Sequence, residues 1–83
     1  MAIIIHPHAL QRMEERGASK EEVQRAIENG RMLPAKFGRR ISGMTFPYGD
    51  YWREQFYEHK HIEVYSVGEG EDIIVVTVVV KYF

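Results

Sequence analysis

The chain runs Ile73-Ile74-Val75-Val76-Thr77-Val78-Val79-Val80 near its end, and this segment limits the fold more than any other. Its residues are all β-branched, stiff at χ1 and suited to a pleated strand. A strand with one face in water alternates apolar and polar residues. This one does not, so both of its faces are expected to meet apolar surface. It is also far shorter than the roughly 20 residues a membrane-spanning helix needs. The remaining chain must therefore supply the layers that cover it. With 83 residues in all there is room for one domain, 1–83, whose single core supplies only about 3–5 kcal/mol. The absence of cysteine excludes disulfides, thiolate metal sites and cysteine nucleophiles. Further stability has to come from close packing, a non-thiolate metal or association with another chain.

Ahead of that strand the sequence divides in two. Ala2–Ile5 reads as a short strand, and Pro7 suits the first position of a helix. Ala9, Leu10 and Met13 then share one helical face, and Gly17 fits the left-handed residue that ends a helix. Ser19 with Glu22 forms a capping box. Val23, Ala26 and Ile27 continue as an apolar stripe until Asn29-Gly30 stops it. Residues 8–29 are thus a helix hairpin, with Leu10, Met13, Val23 and Ile27 expected to face a sheet. Strands are expected at Arg39–Phe46, Tyr51–Tyr57, His61–Val67 and Ile73–Phe83, separated by Pro47-Tyr48-Gly49-Asp50, Glu58-His59-Lys60 and Gly68-Glu69-Gly70-Glu71-Asp72. The expected fold is α+β: a helix hairpin on one face of an antiparallel sheet of four or five strands. Two short helices cover one side of such a sheet. Association through the other side is implied, unless the Asn29–Arg40 segment wraps over it.

Charge is distributed unevenly. Residues 1–40 carry eight Lys/Arg against five Glu, and residues 41–83 carry three against seven acids. Net charge is −1, which argues against a general nucleic-acid coat but leaves room for a local basic face. No acid occurs between Asn29 and Gly49, while Arg31, Lys36, Arg39 and Arg40 are cationic. The start of the chain has no basic flank and no long apolar stretch, so no signal peptide and a cytoplasmic location are expected. No membrane partner is expected either.

The candidate chemistry lies on the first helix. His8, Arg12 and Arg16 are spaced i, i+4 and i+8 and form one stripe. One imidazole and two guanidiniums pack poorly but receive phosphate well: Arg grips two oxygens at once, and His moves a proton near neutral pH. The bland alternative pairs the arginines with Glu14, Glu15 or the acids of the second helix and leaves His8 as a cap. In the next loop, Lys36, Phe37, Arg39 and Arg40 combine cations with an aromatic ring. That combination suits single-stranded RNA, an acidic protein partner, or simply a solvated loop. The pairs His6/His8 and His59/His61, with Glu63 beyond the second, offer a metal-binding alternative. Pro7 and the turn expected at His59 count against it. No metal or other cofactor is assigned.

The stretch His8-Ala9-Leu10-x-Arg12-Met13-x-x-Arg16-Gly17-x-Ser19-x-x-Glu22-Val23, together with Val75-Val76-Thr77-Val78, resembles a family of small prokaryotic proteins known only as a domain of unknown function. Its members resemble the BrnT and RelE-like toxins of toxin–antitoxin systems. The resemblance covers both helices and one strand; Arg31–Tyr57 matches nothing in it. It implies a helical pair set against an antiparallel sheet and metal-independent RNA cleavage by acid–base catalysis. His8, Arg12 and Arg16 would be the catalytic cluster, with RNA and an antitoxin protein as partners. It also draws attention to Lys81 and Tyr82, because RelE-like toxins place basic and tyrosine residues on the sheet near the C-terminus. The alternatives are a non-enzymatic interaction module, either a homo-oligomer or an antitoxin-type partner, and a small metal-binding protein.

Overall fold

The computed structural model describes residues 1–83. The chain forms β1 (Ile3–Ile5), α1 (Pro7–Arg16), α2 (Lys20–Asn29), β2 (Arg31–Pro34), a 3₁₀ turn at Lys36–Gly38, β3 (Arg39–Trp52), β4 (Gln55–Glu69) and β5 (Asp72–Tyr82). The strands make one sheet in the order β1-β5-β4-β3-β2. β2, β3, β4 and β5 pair antiparallel, and β1 joins β5 in parallel. The architecture is α+β, with the helices preceding the main sheet.

Local chemistry fixes the helix ends. Pro7 opens α1, and the His6 imidazole accepts the His8 N–H at 3.1 Å. Gly17 ends α1 in the left-handed conformation (φ 81°), donating its N–H to Met13 O. Ser19 Oγ accepts the Glu22 N–H at 3.1 Å while Glu22 accepts the Ser19 N–H at 2.9 Å, the complete capping box. Ala9 and Met13 of α1 and Val23 and Ala26 of α2 are buried against Phe46, Ile62, Val64, Val75 and Val78 of the sheet. Leu10 and Ile27 flank this core half-buried. Fully burying side chains such as Met13 and Val23 contributes about 1.5–3 kcal/mol each.

The strand boundaries differ from expectation in the middle of the chain. Pro47-Tyr48-Gly49-Asp50 is not a turn. It lies inside β3 as a bulge, with Pro47 opposite His59 and Asp50 opposite Tyr57, so Tyr48 and Gly49 of β3 stand against Glu58 alone in β4. The expected Tyr51–Tyr57 strand instead contains the hairpin turn, at Arg53-Glu54, where both residues have positive φ (49° and 74°). Glu58-His59-Lys60 lies within β4. A second bulge explains much of the C-terminal run. Tyr65 pairs with Thr77 and Ser66 with Val75, leaving Val76 as the extra residue of β5. Val75 and Val78 therefore both point into the core and are fully buried. The non-alternating sequence is in part an alternation shifted by one residue. Ile74 and Val79 stay half-buried. The Asn29–Arg40 segment does not cover β5: it forms β2 at the opposite edge of the sheet.

Candidate functional site

The one concave site lies where the end of α1 meets β5 and the tip of the β3–β4 hairpin. It has a volume of about 380 Å³ and is lined by Glu15, Arg16, Trp52, Arg53, Val79, Val80 and Tyr82. The bulge in β3 lengthens the hairpin, and its turn carries Trp52 and Arg53 to the helix. Trp52 stacks on Tyr82 with centroids 4.9 Å apart and planes 16° from parallel, and the Arg53 guanidinium lies 5.2 Å from the Trp52 ring centroid. Gly17 permits this approach. A Cβ there would stand 2.5 Å from Tyr82 Oη and 2.8 Å from the Trp52 ring.

Both arginines of the pocket are held by backbone rather than by acids. Arg16 Nη1 donates to Val78 O at 2.6 Å, and Arg53 Nη2 donates to Glu15 O at 3.1 Å. Neither forms an ion pair. A guanidinium has five N–H groups in a fixed fork, so each keeps free donors, and the pocket sets these two cations against one acid, Glu15, whose carboxyl the Arg16 charge also helps to lower. Tyr82 donates its O–H to Arg16 O at 2.8 Å. Burial chiefly, then the neighbouring Tyr48 and Glu22, push the Tyr82 hydroxyl up to about 12, with Arg53 opposing. At neutral pH Tyr82 is therefore a donor and not a base. Glu15 is shifted the other way: the hydrogen bond from Arg12 is the largest cause holding its carboxyl below the usual value.

The structure brings together only some of the residues singled out by sequence. Arg16 and Tyr82 meet in the pocket. Arg12 is not part of the lining but is bonded to its Glu15 at 3.0 Å, so the pairing with a helix acid occurs for Arg12 and not for Arg16. His8 is exposed at the start of α1, outside the pocket lining. Lys81 is exposed, 3.7 Å from Glu63, while its neighbour Tyr82 packs under α1. Lys36, Phe37, Arg39 and Arg40 are all exposed around the β2–β3 turn, at the other edge of the sheet. The Phe37 ring is 89% exposed on a left-handed backbone (φ 63°). Arg53 is the residue that sequence reasoning missed.

Beside the pocket, Lys60 is buried, donating to Gly17 O at 2.7 Å and pairing with Glu22 at 2.9 Å. It ties the helix hairpin to β4. The histidines do not converge. His6 caps α1, His59 stacks on Phe83, and His61 Nδ1 bonds Thr45 Oγ1 at 2.8 Å with Glu63 3.8 Å away. No group of three His, Asp or Glu is placed to hold a metal ion. No helix is long and apolar enough to cross a membrane.

No curated protein and no solved structure matches the chain. A family model does match, over residues 5–81, and the chain belongs to that family: DUF4258, a domain of unknown function.

Proposed function

We propose that this DUF4258 domain receives RNA phosphate in the α1–β5 pocket and cleaves the strand without a metal, as the RelE- and BrnT-like toxins it resembles do. One observation carries the reading: Arg16 and Arg53 line the same pocket, each bonded to a backbone carbonyl, neither in an ion pair, and together outnumbering the one acid there, Glu15. Guanidiniums immobilised in this way are preorganised for phosphate. Successive members of the stripe rise about 6 Å along the helix. A strand anchored in the pocket and laid along α1 would pass Arg16, then Arg12, then His8. Arg12 would exchange Glu15 for a phosphate oxygen and steady the pentavalent phosphorus. His8 would move one of the two protons, taking it from the 2′-hydroxyl as that oxygen attacks phosphorus or giving it to the 5′-oxygen as its bond to phosphorus breaks, with water carrying the other. Phe37 with Lys36, Arg39 and Arg40 would hold single-stranded RNA at a separate place by stacking and phosphate contact.

The test is incubation of a single-stranded RNA oligonucleotide with the protein in excess chelator. Wild type is expected to cleave. His8→Ala should lose roughly 10²–10⁴-fold in rate with binding kept, and Arg12→Lys should also slow cleavage because Lys lacks the two-pronged contact. In cells, induced wild type should arrest growth and degrade RNA while His8→Ala does neither. Intact RNA with wild type in both settings would remove the nuclease reading.

A second reading has its own support. The sheet face away from the helices is uncovered, with Ile4 46% and Leu33 49% exposed beside half-buried Ile41, Tyr65, Val67 and Ile74. A non-enzymatic module would pair with a second copy through this face. A strict monomer in analytical ultracentrifugation at high micromolar concentration would count against it.

A further inference from the structure

We infer that the free edge of β5 takes an extended, acidic segment of a partner protein as an added strand. β1 accompanies β5 only as far as Ile5 opposite Val75. The His6 N–H then bonds Val75 O, and Pro7 turns the chain into α1. Beyond that point β5 is paired on one side alone. At its far end Phe83 and His59 exchange both backbone bonds, at 2.8 and 3.0 Å. Hydrogen-bonding direction alternates along a strand. Lys81 and Val79 therefore share the phase of Phe83 and face β4, while Val78, Val80 and Tyr82 point their N–H and C=O groups outward. The bond from Arg16 to Val78 O confirms that phase independently. On their outer side Val80 and Tyr82 have no strand beside them, and both line the pocket.

An edge of this kind is a template for another strand unless something blunts it. Arg16 occupies one outward carbonyl and leaves the next two residues open. The occupant's chemistry follows from what stands around them. Arg16 and Arg53, neither in an ion pair and together outweighing the single pocket acid Glu15, select carboxylates; Val79 and Val80 select small apolar side chains. A second copy of this chain adding there would bring two such arginine pairs together, and like charges oppose it. Two or three extended residues, about 7–10 Å of chain, would span Val80 to Tyr82. Such a segment fills the pocket, so on the RNA reading above it would exclude phosphate; the strand addition itself does not depend on that reading.

The probe is a synthetic peptide, acetyl-Thr-Val-Glu-Val-Glu-Val-Thr-amide, titrated into ¹⁵N-labelled protein. Amide exchange at Val80 and Tyr82 should slow at least tenfold, with none at Met32 on the other edge. Arg53→Gln, or Lys in place of both peptide glutamates, should weaken binding at least tenfold. A single-stranded RNA oligonucleotide should displace the peptide. Absence of protection at Val80 and Tyr82 at millimolar peptide overturns the inference, as does protection at Met32 instead. Peptide failure with RNA binding intact overturns the strand addition alone. Simultaneous binding of peptide and RNA overturns only the shared pocket.

Discussion

Replacing Gly17 by Ala should be among the most damaging single-methyl changes in this protein. Two costs combine. Gly17 is left-handed (φ 81°), a conformation that costs an L-residue about 1–2 kcal/mol. The added Cβ would also stand 2.5 Å from Tyr82 Oη, so the tyrosine must move. That forfeits its hydrogen bond to Arg16 O, worth about 1 kcal/mol, and part of its stacking on Trp52, worth about 0.5–1.5 kcal/mol. The expected loss is about 2–4 kcal/mol, a fall of roughly 10–25 °C in Tm for a domain of this size. Gly70→Ala is the control, because Gly70 is also left-handed (φ 61°) but has nothing within 4 Å of a Cβ. It should cost only the backbone strain, about 1 kcal/mol. Urea and thermal unfolding followed by circular dichroism would measure both. If the two variants agree within about 0.5 kcal/mol, the close approach of Trp52 and Tyr82 to Gly17 is refuted.

Lys60→Met should destabilise by about 2–3 kcal/mol in urea titration, because Gly17 O and Glu22 lose a buried donor, whereas Lys81→Met at an exposed position should stay within about 0.5 kcal/mol. Tyr82 has its hydroxyl raised to about 12, so its contribution is fully present below the ordinary tyrosine value near 10 and is lost as pH rises through 12. Unfolding stability should fall across that window in wild type and fall less in Tyr82→Phe. Arg12→Gln should return the Glu15 carboxyl toward its ordinary range in an NMR titration. In wild type the Glu15 contribution, present above that range, disappears as pH falls through its lowered value.

The helix hairpin was legible because its signals are local. Pro7, Gly17, the Ser19/Glu22 box and the Ala9–Met13 and Val23–Ile27 spacings each have one physical use, and the structure uses them so. The β3–β4 hairpin was not. A two-residue turn ordinarily advertises itself with Asn-Gly or Asp-Gly, but Arg53-Glu54 adopts positive φ without glycine. Meanwhile Pro47 and Gly49, the conventional turn residues, were spent on a bulge. Misplacing that turn hid Arg53, which reaches α1 only because the hairpin bends there. No spacing in the sequence links Arg53 to Arg16. His8, Arg12 and Arg16 all lie on α1, yet periodicity could not show that Arg16 packs against the β5 edge while Arg12 turns to Glu15. The Val76 bulge was equally invisible, since an extra β-branched residue in an apolar run looks like more apolar strand.

The most direct measurement is the salt dependence of binding to a labelled single-stranded RNA oligonucleotide, compared between wild type and Arg53→Gln by fluorescence anisotropy. Each phosphate neutralised on a single strand contributes about −0.7 to the slope of log K against log salt. Arg53 makes only one hydrogen bond within the protein, at an exposed position, so the variant should fold as wild type does. The expected result is weaker binding with a slope shallower by about 0.7. Binding with unchanged affinity and unchanged slope would contradict the assignment of the Arg16–Arg53 pocket as the place where phosphate is held.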